Sequence, residues 1–112
     1  MKRESERFYA MKNVLEQYRV SKDRETADSL QPALELMRNH NKHGEKFYWI
    51  LYYCYLSPSP YAEQDEIIKL LQTQNYDVSI YNFGGRRRAA IRTLSECYHG
   101  KIILPKHYSF DA

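Results

Sequence analysis

The chain has 112 residues, 43% hydrophobic and 28% charged, with eleven Tyr, four Phe and one Trp. That length and balance fit one soluble domain with a modest core, and the ring content excludes a chain that is disordered throughout. The net charge of +3 names no partner by itself.

Residues 1–20 read as an amphipathic helix. Phe8, Met11, Leu15 and Tyr18 recur at helical spacing with Val14 beside them, and Glu6, Lys12, Glu16 and Arg19 lie opposite. Residues 21–29 read as a polar connection. A second helix is expected over 30–40, with Leu30, Ala33, Leu34 and Met37 as its apolar side. Pro32 suits a first turn and not an interior, so it sets the start near Ser29. Residues 39–44, NHNKHG, are a turn.

Residues 45–56, EKFYWILYYCYL, are apolar on nearly every side. Aromatic and β-branched content argues for a strand, whereas the helical neighbours and the lack of a partner strand argue for a buried central helix, the preferred reading. Ser57-Pro58-Ser59-Pro60 stops it. A fourth helix is expected from Pro60, capped by Ser59, to Gln72, burying Tyr61, Ile67, Ile68 and Leu71 and carrying Glu63, Asp65 and Glu66 in its first turns. A short polar turn over 73–77 leads to the last helix, from Val78 or Ser79 to His99. Ile80, Phe83, Ala90, Ile91, Leu94 and Tyr98 share its inner side. Tyr81, Gly85, Arg88, Arg92 and Glu96 share its outer side. Gly100 closes it and Pro105 prevents a long continuation. The tail 101–112 is expected to fold back or to pack on a partner. The expected fold is all-α, a single domain of about five helices: an N-terminal helical pair over 1–46, a helix-turn-helix core over 47–100, and the tail.

Charge is unevenly placed. Residues 1–46 carry a net +2, residues 47–78 a net −3 and residues 79–112 a net +4, so the positive end is C-terminal. Such asymmetry favours a polyanionic partner. Two short helices with the second one basic are the helix-turn-helix arrangement, whose second helix enters the major groove. The candidate DNA-contacting residues are Ser79, Tyr81, Asn82, Arg86, Arg88 and Arg92. Asn reads adenine and Arg reads guanine or clamps phosphate. Gly84 and Gly85 let backbone approach the strand at a cost to helix stability. Arg87 falls in phase with Phe83 and Ile91, so it either reaches the rim of the apolar side, pairs with Glu63 or Glu66, or marks an irregular helix. The bland alternative is that the GGRRR run is a solvated surface loop.

Other chemistry is thin. His40, His43, Cys97 and His99 lack the spacings of a zinc site, so neither a metal nor a cofactor is expected. No nucleophile elbow, phosphate loop or paired carboxylates occur, which argues against an enzyme. Cys54 and Cys97 form no disulfide framework, and no apolar run follows MKRESER. The stretch 47–56 is too short to span a bilayer. A cytoplasmic protein with reduced thiols and no membrane partner is expected.

From the bulky YWILYYCYL through DEIIKLLQ and VSIYNF to RRRAAIRTLSECYHG, residues 47–100 resemble the ArpU/RinA-type late-gene transcriptional regulators of phages and prophages of Gram-positive bacteria, which are similar to DNA-binding region 4 of sigma factors. Gly84-Gly85 and the Ser-Pro-Ser-Pro linker depart from that pattern. The resemblance implies sequence-specific binding of double-stranded DNA and recruitment of RNA polymerase, with a homodimer as one arrangement. Two other functions fit the sequence. One is a helical adaptor or anti-regulator that binds a protein through its Tyr-rich surface. The other is a DNA-packaging small terminase subunit, which requires a ring.

Overall fold

The computed structural model describes residues 4–58 and 63–98. Among them are five α-helices and no strand: α1 (Glu6–Ser21), α2 (Arg24–His40), α3 (Gly44–Leu51), α4 (Gln64–Thr73) and α5 (Phe83–Cys97), with a π-helical turn, Tyr52–Leu56, continuing α3. The expected all-α fold of about five helices is thus the one observed. The predicted Ser59 cap, Pro60 start and Tyr61, and the tail 101–112, lie outside the described residues.

Each helix begins and ends on a local device. Ser5 caps α1 by accepting the Phe8 N–H, and Lys22 closes it in the left-handed conformation, φ 54°. Asp23 caps α2, accepting from Thr26 N at 3.1 Å and Thr26 Oγ1 at 2.8 Å. That cap moves the start of α2 to Arg24, six residues before the expected Leu30, and leaves Pro32 inside the helix. The missing Pro32 N–H frees the Asp28 carbonyl, and both residues are exposed, so water takes the lost place. At the end of α4, Asn75 adopts φ 68°. Its N–H bonds Gln72 O at 2.9 Å while Tyr76 N–H bonds Leu71 O at 3.1 Å, the paired bonds of a Schellman stop.

The turn from α2 to α3 depends on Gly44. A Cβ there would stand 2.0 Å from the Met37 carbonyl oxygen and 2.9 Å from Arg38 Cα, so the two backbones pass closer than any side chain allows. The aromatic segment is helical, as preferred, but its second half is wound wider. Tyr53, Cys54 and Tyr55 are consecutive and all buried, which a regular helix of 3.6 residues per turn does not permit on one face. The Lys22 ammonium donates to the carbonyls of Tyr55 and Ser57, satisfying acceptors left over where this turn ends.

The buried side chains form one cluster drawn from every helix. Phe8, Met11 and Leu15 come from α1, and Leu30, Ala33, Leu34 and Met37 from α2. Ile50 and Leu51 come from α3, Ile67, Ile68 and Leu71 from α4, and Phe83, Ala90, Ile91 and Leu94 from α5. The expected apolar faces are met except at Ile80, which is 61% exposed because it precedes α5 in a turn. The centre is occupied by α5, packed on α1, α2 and α3, whereas α4 packs chiefly on α3. Arg7 of α1 secures the far end of α5 by donating to the carbonyls of Ser95, at 3.1 and 3.3 Å, and of Tyr98. A cation at a helix C-terminus is favoured by the dipole as well as by the hydrogen bonds.

Candidate nucleic-acid interface

The last helix starts later than its periodicity suggests. Residues 79–82 form a separate turn. Ser79 O accepts from Asn82 N at 3.2 Å and from Phe83 N at 2.9 Å. Asn82 Oδ1 accepts the Ser79 N–H at 2.8 Å, and Ser79 Oγ accepts the Tyr81 N–H at 3.3 Å. Short polar side chains that bond local backbone in this way compete with helix, which moves the onset from the expected Val78 or Ser79 to Phe83. With residues 74–82 between α4 and α5, the connection is longer than the turn of about three to four residues in a helix-turn-helix.

Gly84 and Gly85 belong to the first turn of α5, so the helix does run through them. Both are exposed, and a Cβ at either would meet nothing within 4 Å. Asn82 makes no side-chain cap and the first turn carries no acid, so the positive end of the helix dipole is not neutralised locally.

Of the six predicted contact residues, the fold directs three to solvent together. Tyr81 is 95% exposed, and the side chains of Arg88 and Arg92 are 62% and 45% exposed on the outer side of α5. Arg86 is half-buried. Ser79 and Asn82 are half-buried and their oxygens serve the turn just described.

Each of the three arginines faces a carboxylate. Arg86 Nη2 pairs with Asp77 Oδ2 at 3.0 Å, and its Nε bonds the Asp77 carbonyl at 3.3 Å. Arg92 makes two parallel bonds to Glu4, Nε to Oε1 at 3.0 Å and Nη2 to Oε2 at 2.5 Å. Arg88 Nε lies 3.9 Å from Glu4 Oε2. The hydrogen bond from Arg92 holds the Glu4 carboxyl below its ordinary value, and the same bond pushes Arg92 up. Lys46 stands near enough to Arg86 and Asp77 for both to act on it. Its pKa is lowered, first by burial and then by Arg86. Sequence reading missed Glu4, Asp77 and Lys46, since no local spacing joins them to the arginines. Arg87 turns away from this surface, its guanidinium 5.9 Å from the Phe83 ring centroid. Among the described residues no ion pair to Glu63 or Glu66 occurs, and the helix is regular at that point.

The aromatic stretch divides in two. Tyr53 and Tyr55 are buried, the Tyr53 hydroxyl accepting from Gln74 Nε2. Tyr48, Trp49 and Tyr52 are half-buried and in mutual ring contact. Arg38 lies 4.3 Å from the Tyr48 ring centroid and pairs with Glu45, which also accepts from Trp49 Nε1 at 3.1 Å. Among the described residues no group of three His, Cys, Asp or Glu is placed to hold a metal ion, and no helix is long and apolar enough to cross a membrane.

No family model matches the chain, and no curated protein or solved structure matches it either.

Proposed function

We propose that the protein is a DNA-binding transcriptional regulator that sets the N-terminal half of α5 in the major groove. The observation that carries this reading is the outer face of that half-helix. Tyr81, Arg88 and Arg92 stand in solvent beside two glycines whose backbone is open, at a helix start with no acid in its first turn. Phosphates favour such a helix start, and arginines supply both phosphate clamping and base reading. The carboxylates opposite the arginines act against this reading only weakly. Ion pairs at the solvent edge are screened by salt, and a phosphate offers arginine the same bidentate geometry. RNA polymerase is the second partner under this reading.

Fluorescence anisotropy with labelled duplex DNA tests it. Binding should weaken steeply as salt rises, and the double substitution R86A/R88A should remove most of the affinity. Absence of duplex binding at low salt overturns it.

A protein-interaction module is the second reading, favoured by the adjacent exposed pair Ile80 and Tyr81 and by the engaged arginines. Under it, Ile80→Ser with Tyr81→Ser abolishes capture of a protein partner that nuclease treatment does not disturb, and duplex DNA is not bound.

A further inference from the structure

A second surface of α5 has a different character. Arg87 borders a cleft of about 430 Å³ whose other walls are α1, the π turn and α4. Lys12 and Arg19 reach it from α1, and Glu16 is the one carboxylate on its border among the described residues. Its apolar surfaces are Phe83, Ile67 and Tyr55. Arg87 and Lys12 are half-buried, and no hydrogen bond or ion pair joins either to another described residue. Charged groups taken partly out of water are ordinarily paired. Here two cations converge on one space without a carboxylate partner. The volume lies within the usual range of small-molecule pockets, roughly 300–1,000 Å³.

We propose that this cleft binds a compact organic anion, its acidic head on Arg87 and Lys12 and its apolar body against Phe83 and Ile67. The charge selects against neutral ligands and the apolar walls select against bare inorganic anions. The field at the Cys54 and Tyr55 wall agrees with this. Burial raises both groups, and Arg87 is the first cation acting against that rise. The cleft stands whether or not α5 meets DNA, since Arg87 is not on the face that carries Arg88 and Arg92.

Amide chemical shifts of the full chain, titrated with phenyl phosphate, decide the matter. Saturable shifts confined to Cys54, Phe83 and Arg87 are expected. Benzyl alcohol should give none, and inorganic phosphate should bind more weakly. Arg87→Gln should weaken phenyl phosphate about tenfold, and Arg92→Gln should leave it unchanged. If Arg87→Gln is not folded, Lys12→Gln on the open side of α1 replaces it with the same expectation. Equal binding by a folded cleft variant, shifts centred on Arg92, or a response to benzyl alcohol as large as to phenyl phosphate overturns the proposal.

Discussion

Glu4 and Arg92 are joined by two parallel bonds across almost the whole length of the sequence, and the Glu4 side chain, only 15% exposed, is enclosed by Arg92 and Arg88. The carboxylate takes the place a DNA phosphate would take. Removing it should therefore free the arginines. Glu4→Gln is expected to raise affinity for duplex DNA, on the order of threefold, and Arg92→Ala to lower it and reduce the salt slope by about one. Anisotropy titrations over a salt series measure both. Equal affinity of Glu4→Gln and the parent chain would show that this pair has no part in binding, without touching the DNA reading itself.

Gly84 and Gly85 occupy open space on a helix, so their cost is not offset by packing. Gly85→Ala should stabilise the fold by up to about 1 kcal/mol, read as a higher urea midpoint. Gly85→Leu should keep the fold and lose duplex affinity, because the larger side chain holds the backbone away from the strand. A lower midpoint for the alanine variant would mean that the glycine has a structural role at this position.

Gly44 is the opposite case. All three atoms nearest an added Cβ are backbone, the closest at 2.0 Å, so no side-chain movement relieves the contact. Gly44→Ala should cost about 4 kcal/mol or more, a large part of the roughly 5–15 kcal/mol that holds a small domain together. Circular dichroism melting should show a strongly lowered or absent transition. A variant as stable as the parent chain would mean that α2 and α3 do not pass this closely.

Two carboxylates make stability depend on acid. Glu45 is held below its ordinary value of 4.5 first by the hydrogen bond from Arg38, and Glu4 likewise by Arg92. A depressed carboxylate contributes stability that is fully present above the unfolded value and lost as pH falls through the folded one. The loss should therefore lie below about pH 4.5, with no contribution to any change between pH 6 and 8. Glu45→Gln should flatten the acid limb of a urea-midpoint profile. An unchanged limb would assign the acid loss elsewhere.

The thiols differ in reach. Burial pushes Cys54 up to about 11, and it is enclosed by the core. Cys97 is also raised by burial but is half-exposed. Reactivity follows the thiolate and its exposure. At pH 8 a maleimide should label Cys97 first, and Cys54 only at the rate at which the domain opens. Mass spectrometry of peptides separates the two, and equal rates would mean that the core around Cys54 is loose.

Helical phase was legible wherever one helix kept its period. The inner residues Phe83, Ala90, Ile91 and Leu94 and the outer residues Gly85, Arg88 and Arg92 lie where spacing puts them. What spacing does not encode is competition by short polar side chains and pairing across the chain. Ser79 and Asn82 bond the local backbone and delay α5, which turns Ile80 outward. Asp23 caps α2 strongly enough to carry Pro32 inside the helix. Glu4 reaches Arg92, and Arg7 reaches Ser95, only once α1 lies along α5. The character of the candidate interface, arginines shared with carboxylates, is therefore a property of the tertiary structure.

The widened turn at Tyr52–Leu56 carries a further consequence. Such a turn holds one residue more than the α-helical path beside it. Deleting a single residue there would let α3 continue as ordinary helix and rotate everything beyond it by about 100°. One of the three successive core side chains, Tyr53, Cys54 or Tyr55, would then face water, and the carbonyls that Lys22 grips would point elsewhere. The segment is thus intolerant of length change in a way that its composition alone, a run of interchangeable-looking tyrosines, conceals.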